Sequence, residues 1–161
     1  MDMDTIGLKN KNILRLEVVT DKGEKTGEYL EFDLEDIELP LIYQEIIERL
    51  KNSRSNLKNQ FIIIDKKQDH KGKKLFSTNE EAKLKALEKF YKEQTDIYNM
   101  FLGENGVQKL LNGRKLRWST LEEIDELIKT KIAPKLDITM DNITKKIKSK
   151  YSNKEKENIL E

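Results

Sequence analysis

Residues 77–106 read STNEEAKLKALEKFYKEQTDIYNMFLGENG, and this stretch decides the fold. It opens with two overlapping capping boxes, Ser77 with Glu80 or Thr78 with Glu81, each able to satisfy free amides at a helix start. Ala86, Leu87, Phe90, Gln94, Ile97, Tyr98 and Phe101 then recur at three- and four-residue steps, the period of an amphipathic helix. Gly103 and Gly106 end it, and at least one of them is expected to take φ > 0 where the chain reverses. Val107, Leu110 and Leu111 follow as a short apolar turn closed by Asn112-Gly113. A further helix is predicted from Ser119, boxed with Glu122, through Leu121, Ile124, Leu127, Ile128 and Ile132, with Pro134 as its stop. Beyond Asp137, Ile143, Ile147 and Tyr151 at four-residue spacing predict one more helix, narrow-striped and rich in lysine.

Upstream, Leu14, Leu16 and Val18 alternate with Arg15 and Glu17, and Leu30, Phe32 and Leu34 alternate with Tyr29, Glu31 and Asp33. Two period-2 runs around the turn Asp21 to Gly27 predict a β-hairpin. A lone hairpin is marginal in water, so its apolar face must rest on the helices that follow or on a partner. Asp36 reads as a helix cap and Pro40 as a first-turn residue before the stripe Leu39, Ile42, Tyr43, Ile46, Ile47 and Leu50. Asn52 to Asn56 interrupts that stripe; Leu57, Phe61 and Ile64 resume it as helix in preference to a short strand. Lys66 to Phe76 reads as a loop. The fold expected is mainly α, an N-terminal β-hairpin followed by four to five amphipathic helices. It divides into a flexible N-terminus over 1–12, a hairpin-plus-helices domain over 13–137, and a basic C-terminal helix and tail over 138–161.

The 161 residues are 38% charged and 36% apolar, which suits amphipathic helices around a thin core. Net charge is +1, so the whole molecule carries no gross attraction for nucleic acid or membrane. Charge is nevertheless segregated: Glu28 to Glu48 holds eight acids and no Lys or Arg, whereas Lys66 to Phe76 holds five lysines against Asp69. There is no cysteine, hence no disulfide or thiolate cluster. Met1-Asp2-Met3-Asp4 is acidic with no apolar region behind it, which predicts no secretory signal. Phe61-Ile62-Ile63-Ile64 is far too short to span a membrane.

No catalytic constellation is apparent. His70, the single histidine, sits in a loop beside Asp69 with no evident nucleophile or second ligand, and a solvated role is expected. The carboxylates of Glu28 to Glu48 lack the spacing of a calcium loop, and the glycine pairs match no phosphate-binding fingerprint. No cofactor, no metal and no enzymatic activity are expected. The basic runs Lys66 to Lys74 and Lys145 to Lys150 leave a nucleic-acid-binding regulator as the alternative, but arginine readers are scarce, five among 31 basic residues.

Ile97-Tyr98-Asn99-Met100-Phe101-Leu102 followed by Gly103-Glu104-Asn105-Gly106-Val107-Gln108-Lys109-Leu110-Leu111-Asn112-Gly113 resembles a known signature. It is the aromatic-Leu/Phe-Gly-x-x-Gly, spacer, Lys-apolar-apolar-x-Gly pattern of tail assembly chaperones from long-tailed phages and phage-tail-like particles of Gram-positive bacteria. The resemblance extends upstream to Tyr29-Leu30-Glu31-Phe32-Asp33-Leu34 and downstream to the helix Leu121 to Ile132, roughly residues 13–137. The chain departs from the pattern in its 52–76 segment and its basic C-terminal helix. What the resemblance implies is a helper in the host bacterium's cytoplasm that coats the helical tape-measure protein, then leaves before the particle is mature. It leaves the tail-tube protein and a second copy of the chain open as further partners. The partner-binding residues expected are Tyr29, Phe32, Tyr43, Phe101, Leu110, Leu111 and Trp118, with core packing as the alternative for each and a helix-start staple for Trp118. An apolar groove built from helix faces and rimmed by the acidic segment Glu28 to Glu48 is the expected docking surface.

Overall fold

A computed structural model describes residues 3–9 and 11–160, with side chains described as far as Lys150. Strands β1 (Ile13–Val19) and β2 (Lys25–Asp33) form an antiparallel hairpin, followed by α1 (Glu38–Asp65), α2 (Thr78–Leu102), α3 (Gly106–Leu111), α4 (Trp118–Leu127) and α5 (Ala133–Leu160). The expected hairpin and helices are therefore present. Residues 3–9, 11 and 12 carry no regular secondary structure, and the 137/138 boundary falls inside α5.

Leu14 pairs with Phe32 and Leu16 with Leu30, so the apolar members of both strands share one face. The turn is tighter than the glycine spacing suggested. Thr20 and Glu24 close it, Gly23 has φ 79°, and Lys25 to Gly27 already belong to β2. The hairpin lies on its own chain: Phe32 meets Phe101 of α2 with ring centroids 5.5 Å apart. Val18, Leu30 and Phe32 join one core with Ile46, Leu50, Tyr98, Phe101, Val107, Leu121, Ile124 and Ile132.

α1 is a single 28-residue helix, and Asn52 to Asn56 does not break it. Asparagine and serine cost a helix only a few tenths of a kcal/mol each. Burial of Leu50, Ser53, Leu57 and Ile64 on the same side outweighs that. Its start also differs by one residue: Ile37 is the cap position, and Asp36 Oδ1 accepts the Glu38 amide at 3.0 Å from just outside the helix.

α2 begins with the Ser77–Glu80 box, both halves formed. Asp69 supports the same turn, since its Oδ1 accepts the amides of His70 and Asn79, each at 2.9 Å. The Asn79 amide above all holds the Asp69 carboxyl below its usual pKa. The contacts Arg54–Tyr98 and Asp65–Lys83 show α1 and α2 running antiparallel.

Between α2 and α3 the chain turns on Gly103 (φ 95°), as expected for one of the two glycines. Gly106 serves otherwise: a Cβ there would lie 2.5 Å from Leu102 Cβ, so only glycine allows so close an approach. Asn99 fastens the elbow, its Oδ1 accepting the Val107 amide at 2.8 Å and its Nδ2 donating to Gln108 at 2.9 Å.

The helix expected from Ser119 starts at Trp118, and the Ser119–Glu122 box is not formed. Nor does Pro134 stop it. Residues Ile128–Ile132 form a π-helical segment in which the Ala133 amide donates to Ile128 O, and α5 then continues to Leu160. The wider register absorbs a proline that has no amide to offer, while Ile128, Ile132 and Leu136 stay buried along one stripe. α4, the π segment and α5 are thus one rod, leaving four helical bodies. From Asp141 to Lys150 only Ile143 is part-buried, so the basic stretch of α5 stands clear of the body. The side chain of Tyr151, expected on its stripe, lies outside the described residues.

Candidate partner-binding groove

α1 and the α4–α5 rod face each other across α2 without closing on it. Tyr43, Ile46, Ile47, Leu50, Lys51, Arg54, Ser55 and Lys58 recur at helical steps and form one wall. Asp125, Ile128 and Lys129 form the other, and Tyr98 of α2 contributes to the floor. The cleft holds about 660 Å³. Tyr43 and Lys129 also line a second recess of about 520 Å³, where Pro40 faces Ala133, Leu136 and Met140. The two form one open groove between the helices.

A polar tie spans it. Arg54 Nη1 donates to Asp125 Oδ2 at 3.0 Å, Nη2 to the Tyr98 hydroxyl at 2.8 Å and to Asp125 Oδ1 at 3.3 Å, and Nε to Gln94 Oε1 at 3.3 Å. The Tyr98 hydroxyl in turn donates to Asp125 Oδ1. Burial first, then the bond to Asp125, pushes the Tyr98 phenol far above its ordinary pKa and keeps it protonated. Burial acts to discharge Arg54, but Asp125 and Tyr98 outweigh it and hold the guanidinium above its ordinary value. Each group is thereby committed to its neighbours. The trio binds three helices together at a fixed spacing, and neither a free base nor an activated nucleophile results. Among the described residues no cluster of His, Cys, Asp and Glu is placed to hold a metal ion.

The sequence singles out neither Arg54, which falls in the apparent break Asn52 to Asn56, nor Asp125, which reads as one of several acids on a helix surface. The available signal was the spacing Leu50, Arg54, Leu57, Phe61, Ile64, which puts an arginine inside an apolar stripe and demands a buried partner. Next to the tie, Ser53 Oγ and Gln94 Nε2 are buried without a protein partner among the described residues.

Of the seven residues expected to bind a partner, the groove receives one, Tyr43, whose ring stands 5.4 Å from that of Phe101. Phe32 and Phe101 are corrections. Both are almost wholly buried, because the hairpin needs them to seal its apolar face against α2, and neither is available to another protein. Leu110 and Leu111 pack half-buried against the same core. Tyr29 is on the outer face of β2, covered by the Arg15 guanidinium 4.0 Å from its ring centroid. Trp118 stacks on Phe90 at 6.0 Å and so anchors the start of α4 on α2, although 48% of it remains exposed. His70 is an exposed loop residue.

The rim is a second correction. The larger cleft is edged by Lys51, Lys58 and Lys129 and the second recess by Lys129 and Asp137, none of them in the acidic segment. The acids of Glu28 to Glu48 lie mostly on the hairpin and the first turns of α1, before the groove opens. No helix among the described residues is long and apolar enough to cross a membrane. No protein family, no curated protein and no solved structure matches the chain.

Proposed function

We propose that this protein is a non-enzymatic tail assembly chaperone, which binds the tape-measure protein in the host cytoplasm and is absent from the finished particle. The observation that carries the reading is the open groove between α1 and the α4–α5 rod. Its length and apolar walls suit a helix, and it keeps Ile47 nearly half exposed. A tape-measure protein before tube assembly is a long helix with bare apolar stripes, which aggregate unless covered. Helix-in-groove packing covers such a stripe, and many modest contacts along it can later be displaced by tube subunits. The glycine elbow at 103–106 carries the family resemblance and supports the same reading, since it sets α3 and the hairpin against α2.

The test is co-expression with a tape-measure fragment. Co-purification is expected, with loss in Ile47→Asp and Tyr43→Asp variants that keep their helical circular dichroism. A fragment that stays aggregated in the presence of the chain would refute the proposal. Nucleic-acid binding is the rival, favoured by the exposed Lys145, Lys146, Lys148 and Lys150 of α5. A gel shift that weakens steeply with salt would promote it.

A further inference from the structure

We infer that the groove takes an acidic amphipathic helix, whose apolar stripe lies on Tyr43 and Ile47 and whose flanking carboxylates meet Lys51, Lys58 and Lys129. The identity of the protein that carries this helix rests on the chaperone reading; its chemistry comes from the walls of the groove. The three lysines are exposed and, like most lysines among the described residues, form no ion pair within the chain, so their charges are open to an incoming group. Arg54, between Lys51 and Lys58, is already neutralised by Asp125. Lys51 and Lys58 are seven positions apart, so they stand two turns, about 10 Å, apart along one edge of α1. An incoming helix with Asp or Glu at seven-residue spacing presents carboxylates at the same interval. Lys129 meets the opposite flank from the facing wall. The wall from Tyr43 to Lys58 is about 22 Å long, which accommodates roughly four turns of such a helix.

The exposed helix of a second copy does not fit. α5 carries Lys145, Lys146, Lys148 and Lys150 around Ile147, and like charges would meet along the whole groove. Nucleic acid fits poorly as well, since the lysines are separated by aliphatic side chains and the one arginine is tied to Asp125.

The experiment uses the full chain and two fluorescein-labelled synthetic peptides of about 18 residues, with one leucine stripe flanked by glutamate in one peptide and by lysine in the other. Fluorescence anisotropy should show the glutamate peptide binding at least about tenfold tighter at physiological ionic strength, as three added surface attractions and three avoided repulsions imply. The triple variant Lys51→Glu, Lys58→Glu, Lys129→Glu should reverse that preference, and Ile47→Asp should abolish binding of both peptides. These four positions are surface-facing, and circular dichroism verifies that each variant folds. Equal affinity for the two peptides would overturn the inference. So would a folded triple variant that keeps the wild-type preference, a dimer of the chain that excludes the glutamate peptide, or its displacement by a DNA oligonucleotide. A tape-measure fragment assayed in parallel separates the two claims. Groove-dependent peptide binding without fragment binding removes the chaperone reading alone. Fragment binding that is indifferent to the triple variant removes the inference alone.

Discussion

Replacing Arg54 by Met tests whether the guanidinium ties the three helices together. Methionine keeps much of the long stem and removes every donor. Asp125 and Tyr98 retain each other, so their loss is modest. The ion pair is partly exposed, 32% at the arginine and 38% at the aspartate, and screening limits it to about 0.2–1 kcal/mol. Gln94 suffers most. It is fully buried, its Nε2 already lacks a partner, and its Oε1 would lose the Arg54 Nε–H. An orphaned buried amide oxygen costs about 1–3 kcal/mol. The sum is about 1–4 kcal/mol, which corresponds to roughly 2–16 °C in melting temperature for a chain of this size. Urea denaturation followed by far-UV circular dichroism measures it directly. The reasoning makes a second demand: Gln94→Leu in the Arg54→Met background should recover about 1 kcal/mol or more, because an apolar side chain of similar volume has nothing to satisfy. A double variant no more stable than Arg54→Met, or a single variant costing less than about 0.5 kcal/mol, would refute the account.

The Tyr98 phenol has a folded pKa above its ordinary value of 10, so the folded chain keeps a proton that the unfolded chain releases. Stability from this group is complete below about pH 10 and falls as pH rises from there toward the raised value, by at most about 1.4 kcal/mol per pH unit. Urea midpoints near pH 9 and pH 11 should therefore converge between wild type and Tyr98→Phe, and an identical decline in both would contradict it. At the elbow, Gly106→Ala should cost about 1–3 kcal/mol through the clash with Leu102, and Gly103→Ala a similar amount through its left-handed backbone. Unchanged melting temperatures would show that the elbow is not tight. Ser53→Ala should stabilise by about 0.5–1.5 kcal/mol, because a buried hydroxyl without a protein partner is removed and helix propensity improves; a lower melting temperature would mean that the hydroxyl is satisfied after all.

What could be read from the residues in order was much of what depends on neighbours a few positions away. The alternation of Leu14, Leu16 and Val18 settles which face of the hairpin is inward, since a strand repeats every two residues. The overlapping boxes Ser77–Glu80 and Thr78–Glu81 place the start of α2 to within one residue, because their hydrogen bonds lie within one turn, and the first of them is the one formed. The break expected at Asn52 to Asn56 and the stop expected at Pro134 failed for a common reason. Local propensities of a few tenths of a kcal/mol, or one missing amide, yield to the burial of a stripe that only the assembled core supplies. The groove belongs wholly to the tertiary structure. Arg54 meets an aspartate 71 residues away, and Lys51 and Lys58 come to face Lys129 across one groove only after α1 and the α4–α5 rod are set side by side. Phe32 and Phe101 lie on apolar stripes in the sequence, but whether those stripes cover each other or a partner is decided only when the hairpin closes over α2 and buries them. Periodicity says which side of each element is apolar; which apolar sides cover one another, and which is left open, depends on long-range packing that no local pattern encodes.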